Sequence, residues 1–411
     1  MSENRPENYT MELGPMGPIG EGAALMLRVN RNCPWNQCLF CPVYKKEKFS
    51  ARSVGEVKGD IDKARRIGDL LDSTSWDMGL SGRVQHEVIE AVIRNHPGIY
   101  GDYLSGVTRE QFLAIRCLSN VANWFMYGTR RVFLQDANAL FVKPGDLIEI
   151  LRYLKKSFPT VDTVTAYARS KTCAQRSSAE LRELHDAGLS WCFVGVESGC
   201  DEILDYMKKG VKQKEHMSGG QRLRASGIKM AAFVMPGLGG GNRELSPRHS
   251  RDTISVLNEM KPTEVRVRSL AVLESAPLHV RWESGEFQAP TDDQMVGELK
   301  ALINGITFDC TFETLQMTNV FTLKGELPAK RQTFLESIDR YQAMEPIERA
   351  YFLFHRYFHG GYLDFVRSWG GDDSSLKGKI REAEKSLEGE TPDALEKVER
   401  AVFAIKSKGI P

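Results

Sequence analysis

Three cysteines, Cys33, Cys38 and Cys41, crowd one short stretch of a 411-residue chain that has eight cysteines in all. The order Cys33-Pro-Trp-Asn-Gln-Cys38-Leu-Phe-Cys41 follows an apolar, β-prone run, Ala24-Leu25-Met26-Leu27-Arg28-Val29-Asn30, so the thiols occupy a loop at a strand end. Thiols this close together serve a metal, a redox pair or a disulfide. A disulfide leaves one of the three over. Structural zinc takes four ligands, commonly two Cys-x-x-Cys pairs or added histidines, and no second Cys-x-x-Cys occurs here. A cubane iron–sulfur cluster takes four thiolates; with three, one iron lacks a protein ligand and is open to a small molecule. Two readings stay open on the residues alone. One is a redox-active iron–sulfur centre; the other is a zinc-stabilised structural or binding protein completed by a distant ligand.

The remaining chain must position that loop. Hydrophobic residues make up 41% and charged residues 27%, ordinary for a globular protein with a large core. A net charge of +1 gives no steering toward nucleic acid or an anionic membrane, so nucleic acid is an unlikely partner by this measure. The N-terminus lacks an apolar signal-like core, and no apolar run is long enough to span a membrane. Scattered cysteines fit a reducing cytoplasm. Cys117, Cys173, Cys192, Cys200 and Cys310 have no mutual spacing and read as small buried hydrophobes.

Residues 1–23 form a Gly/Pro-rich lead-in. From residue 24 to 306, six strand–helix units follow in parallel α/β style. The strands are predicted near 24–31, 132–134, 164–168, 191–196, 230–235 and 265–272, with capped helices opening at Ser177 and Thr291. Six units fall short of the eight that close a TIM barrel. The fold class is therefore α/β, a partial (β/α)6 TIM-like barrel. A helical insertion at about 75–129 exceeds what a crossover needs and reads either as scaffold or as a lid or substrate wall bordering the site. Residues 307–411 form a helical extension ending in an αα-hairpin. That hairpin carries no constellation of ligand-type residues, so it is expected to be dispensable for the cysteine loop. His355 and His359 lie one helical turn apart among aromatics and read as packing. No Gly-x-Ser-x-Gly elbow is present.

The loop has a family likeness. A Cys-x4-Cys-x2-Cys spacing with Phe40 before the last cysteine, just after a first strand, resembles the radical S-adenosylmethionine (SAM) superfamily. The usual spacing there is Cys-x3-Cys-x2-Cys, so this chain carries one extra residue. The stretch Asn32 to Lys45, with its Trp35-Asn36 pair, resembles a branch related to the Elp3-like group. The likeness covers roughly residues 24 to 340. It implies a [4Fe-4S] cluster held by Cys33, Cys38 and Cys41, with SAM at the open iron. It also implies an electron donor such as flavodoxin or ferredoxin, and hydrogen abstraction from a small or unknown substrate.

Family contacts map onto the strand ends, where ligands bind in parallel barrels. Gln135 and Asp136 stand where the superfamily has a Gly-Gly-Glu-like segment. Arg169 and Ser170 end strand three. Glu197 matches a Gly-Val-Glu/Gln-Ser segment that binds ribose or the amino group, and Lys209 matches the basic residue for the carboxylate. Gly237 opens a Gly-rich turn suited to backbone approach by adenine; without a following Lys-Ser/Thr it is no P-loop.

Overall fold

A computed structural model describes residues 9–409 except 16, 18–20, 102–105, 369 and 372. Eight strands form the main sheet: β1 (Leu25–Arg28), β2 (Arg131–Gln135), β3 (Thr163–Ala168), β4 (Leu189–Glu197), β5 (Lys229–Val234), β6 (Glu264–Val267), β7 (Cys310–Glu313) and β8 (Lys324–Leu327). Their order in the sheet follows their order in the chain. β1 pairs with β2, β2 with β3, β5 with β6 and β6 with β7 in parallel, and β8 returns antiparallel to β7. Helices separate successive strands from β1 to β7, which is the β/α order of a partial TIM-like barrel. Strands β2, β3 and β5 bury most of their residues rather than alternating, as expected where helices cover both faces of a parallel sheet, whereas β1 and β6 alternate.

The sheet extends past the six expected strands. Residues 310–313 and 324–327 lie in the stretch read from sequence as purely helical. Both are four residues long, and Lys324-Gly-Glu-Leu offers almost no apolar signal. The helix after β5 spans Leu245–Met260, and Asn242 Oδ1 accepts from the backbone N–H groups of Glu244 and Leu245 at its start.

The chain divides into two compact units. The first comprises the described residues of Met1–Pro34, Glu47–Phe193 and Ala225–Lys229; the second comprises those of Trp35–Lys46, Val194–Arg224 and Met230–Pro411.

In the first unit, helix Val54–Asp77 opens with a capping box between Ser53 and Glu56. The expected insertion supplies helices His86–Asn95, Pro97–Tyr100 and Arg109–Met126. The last of these covers the edge strand β1: Asn120 Oδ1 accepts from Met26 N–H at 3.1 Å, and its Nδ2 donates to Met26 O at 3.2 Å. An uncovered edge strand is a template for unwanted pairing, and these contacts cover that edge.

In the second unit, helices Ser374–Glu388 and Ala394–Ser407 form the expected hairpin. His355 and His359 meet edge to face, 5.4 Å between ring centroids, within an aromatic cluster that includes Phe354 and Phe358.

Candidate active site

The cysteine loop leaves β1 and has no regular structure beyond turns from residue 32 to 49. A short antiparallel ribbon closes its base, pairing Asn30 with Ala51 and Arg31 with Ser50. All eight cysteines are outside disulfides. Cys33, Cys38 and Cys41 are half-buried, whereas the other five are fully buried. Burial pushes the Cys117 thiol up to about 11 and those of Cys173 and Cys310 up to about 12, and raises Cys192 as well. A thiol held protonated is a poor ligand. By donor type and exposure, the loop trio fits an iron–sulfur group and the others do not. No three Cys, His, Asp or Glu side chains converge as a ready metal site among the described residues.

In the first unit, the residues ahead of the loop are held by charge. Arg28, at the end of β1, donates through Nε to Asp136 Oδ2 at 2.7 Å and forms an ion pair with Glu12 at 3.0 Å. Asp136 Oδ2 also accepts from the backbone N–H of Asn32 at 2.9 Å, next to Cys33. Arg31 pairs with Glu12 and Glu56, and Arg52 pairs with Asp60 while lying 3.4 Å from Glu12. Gln135 Oε1 accepts from Gly14 N–H at 2.8 Å. Arg169 caps helix Ser170–Gln175, its N–H donating to Asn138 Oδ1 at 3.2 Å, and Ser170 is buried. Asp136, expected to face SAM, thus has its carboxylate engaged in orienting the loop, and Gln135 holds the lead-in segment. The sequence reading missed Arg28 and Glu12. Their partners lie 108 and 16 residues away in the chain, and only the Arg28–Asn32 spacing is local.

In the second unit, three expected residues come together. Lys209 Nζ lies 3.1 Å from Glu197 Oε1 and 5.6 Å over the Phe40 ring. Both side chains of this ion pair are nearly buried, so each charge relies on the other. Trp35 and Asn36 shape the loop. Trp35 Nε1 donates to Lys208 O at 2.7 Å, Asn36 Nδ2 donates to Tyr44 O, and Lys45 Nζ donates to Asn36 O at 2.8 Å. Gly210, with φ at +66°, leaves room for Trp35: a Cβ there would fall 2.1 Å from the indole. Leu39 N–H donates to Met207 O at 3.0 Å, and Leu39 O accepts from Leu278 N–H at 2.9 Å.

Gly237 is committed to packing. Its φ is +92°, its N–H donates to Glu298 Oε2 at 2.7 Å, and a Cβ would meet Pro290 at 2.8 Å. The rest of the Gly-rich turn, Gly239 to Gly241, lines a cavity of about 760 Å³ shared with Tyr206, Arg243 and Phe287. A buried polar network ties the neighbouring strand ends. Ser198 Oγ meets His249 Nδ1 at 2.8 Å, His249 Nε2 meets Met235 O at 3.1 Å, and Glu298 Oε1 accepts from Ser246 Oγ at 2.6 Å.

No family model matches the chain. A curated relative from Methanocaldococcus jannaschii, named tRNA uridine(34) acetyltransferase, is 25% identical over 284 residues; the match spans 67% of this chain and 47% of the relative. Among solved structures, the Methanocaldococcus infernus Elp3 lacking its N-terminus is 18% identical with a TM-score of 0.35, covering 42% of this chain and 44% of that one. The cobalamin-dependent SAM radical enzyme OxsB, with aqua-cobalamin and SAM bound, is 11% identical with a TM-score of 0.42, covering 94% of this chain and 59% of that one. The chain spans less than half the length of that curated relative. The proteins this chain is similar to thus include one titled a SAM radical enzyme and one titled Elp3.

Proposed function

We propose that this chain is a radical SAM enzyme in which Cys33, Cys38 and Cys41 hold a [4Fe-4S] cluster within the 24–306 barrel region. When bound, the cluster supplies one electron for reductive cleavage of SAM, yielding methionine and a 5′-deoxyadenosyl radical that removes hydrogen from the substrate. The observation that carries this reading is the meeting of Phe40, Lys209 and Glu197 beside the cysteine loop. Lys209 brings a cation suited to the SAM carboxylate. Glu197 holds that cation in place and offers an acceptor to the amino group or ribose hydroxyls. Phe40 excludes water on one side of Lys209, which strengthens its charge interactions. Arg28 and Asp136 fix the backbone from which Cys33 projects.

The substrate stays at the level of class. Near-neutral net charge made nucleic acid an unlikely partner in the sequence reading, but that total averages over local patches such as Lys45, Lys46 and Lys48. The curated relative's name makes a tRNA substrate one to test beside a small molecule. No helix among the described residues is long and apolar enough to cross a membrane.

The test is anaerobic reconstitution with iron and sulfide, reduction with dithionite, and detection of 5′-deoxyadenosine. Wild type should bind about four irons per chain and cleave SAM; Cys38→Ala should lose both. Full 5′-deoxyadenosine formation by Cys38→Ala would overturn the reading. A colourless protein with one zinc per chain would establish the zinc-stabilised alternative.

A further inference from the structure

We infer that the C-terminal helix Ala394–Ser407 is a positioning element for the Cys38–Cys41 half of the loop, acting through helix Pro277–Glu283. This rests on the reading that the loop holds a cluster, and it reverses the expectation that the hairpin is dispensable. Between Cys38 and Cys41 the loop is clamped through its backbone at Leu39. The clamp's second jaw is the N–H of Leu278, at the opening of helix Pro277–Glu283, where backbone N–H groups have no partner inside the helix. Seven residues of helix form a strut about 10 Å long. A strut holds only if its far end is fixed.

The far end is fixed by the C-terminal helix. The rings of Trp282 and Phe403 lie 4.7 Å apart. Just before the strut, Glu274 N–H donates to Ser407 O at 3.0 Å, and the Glu274 carboxylate pairs with Lys408 at 2.7 Å. The C-terminal helix is itself locked in place. Lys406 is buried against Asp292, with its ammonium 4.6 Å over the Tyr357 ring. Leu39, Met207 and Leu278 belong to one apolar cluster, against which Phe40, Trp282 and Phe403 pack. Loop, strut and helix therefore share a continuous hydrophobic contact as well as two backbone hydrogen bonds. Phe403, Ser407 and Lys408 touch none of the cysteines through these contacts, so their role is to position.

The experiment uses the full-length chain without reconstitution, so its outcome does not depend on cluster chemistry. Alkylation of Cys33, Cys38 and Cys41 by iodoacetamide is followed by mass spectrometry, together with hydrogen exchange at the Leu39 and Leu278 amides. Phe403→Ala should speed alkylation of Cys38 and Cys41 and exchange at Leu39 by about three- to tenfold, the scale of one lost aromatic contact. Cys33, anchored by Arg28 and Asp136, should be unchanged, and Phe403→Tyr should restore wild-type rates. Lys408→Ala, a surface change that keeps the fold, should give a smaller shift in the same direction. Equal acceleration at all three thiols, or none at Cys38 and Cys41 in either variant, would overturn the inference. A selective shift in a protein that binds no iron would keep the strut and reject the radical SAM reading.

Discussion

The cysteine loop is held by two unlike anchors. Ahead of Cys33, in the first unit, the hold is ionic: Asp136 grips Arg28 and Asn32, and Glu12 sits among Arg28, Arg31 and Arg52. Between Cys38 and Cys41, in the second unit, the hold is an apolar cluster plus backbone hydrogen bonds at Leu39. A charge network is directional and sensitive to protonation. An apolar contact is sensitive to volume and indifferent to pH. The two halves of one ligand loop should therefore fail under different insults.

The largest effect is expected at the ionic anchor. Asp136 is fully buried and Arg28 nearly so. Asp136→Ala removes the fully buried partner of a nearly buried guanidinium and leaves it the half-buried Glu12 carboxylate, at a cost of up to about 3–5 kcal/mol. Denaturant titration should show this loss, and replacing Arg28 by Met in the same chain should recover part of it. If Asp136→Ala costs no more than a surface change, the ionic anchor is not what holds β1 to the loop. The apolar anchor should give way by less. Leu39→Ala removes a buried side chain at a cost of about 2–4 kcal/mol, and should loosen Cys38 and Cys41 more than Cys33. Adding salt should leave this second loss unchanged; a salt-dependent loss would erase the contrast.

How much of this was legible beforehand divides along the same line. The apolar side was largely readable. Periodicity located all six leading strands, and the Ser177 and Thr291 capping boxes form as the spacing indicated. The cysteine trio stood out by type and spacing, Phe40, Glu197 and Lys209 through the family resemblance, and the last three meet. What failed to show was long-range polar pairing. Nothing local marks Glu12, in a Gly/Pro-rich lead-in, as the partner of Arg31 and Arg52. The engagement of Asp136 by Arg28 depends on the neighbouring strand, so no local pattern shows it. β7 and β8 escaped because four-residue strands owe their existence to the sheet beside them more than to their own composition.

A smaller effect separates side chain from backbone at the second anchor. Lys209 follows Met207, whose carbonyl clamps Leu39, yet Lys209 itself acts through its ammonium. Lys209→Ala should retain reconstituted iron and weaken SAM binding by about ten- to hundredfold, the equivalent of roughly 1.5–3 kcal/mol. Equilibrium dialysis with labelled SAM checks this. Unchanged affinity would mean that another residue meets the carboxylate. Lost iron would mean that the Glu197–Lys209 pair is part of the loop's support.

The finest distinction is by pH, where the ionic anchor and the C-terminal helix should move in opposite directions. Burial pushes Glu12 up, but the hydrogen bond from Arg31 and the charges of Arg52, Arg31 and Arg28 outweigh it and hold the carboxyl below its ordinary 4.5. Glu56, held by the Ser53 backbone and by Arg31, is lowered to about 2. A carboxylate with a depressed folded value contributes stability that is present above pH 4.5 and drains away as pH falls toward 2. On the C-terminal helix, Glu399 is the reverse. Burial first, then Asp292, Asp293 and Glu396 against the opposing Arg349, raise it to about 7. Its contribution is present below pH 4.5 and is lost as pH rises toward 7, because the folded state holds a proton that the unfolded chain releases. Denaturant midpoints from pH 3 to 8 read both limbs. Glu12→Gln should flatten the acid limb alone. Glu399→Gln should flatten the neutral limb alone and be more stable than wild type at pH 8, since the amide fills the same space without an ionised charge beside two aspartates. A Glu399→Gln profile parallel to wild type between pH 5 and 8 would show that Glu399 does not titrate in that window. The C-terminal helix would then join the apolar anchor as insensitive to pH.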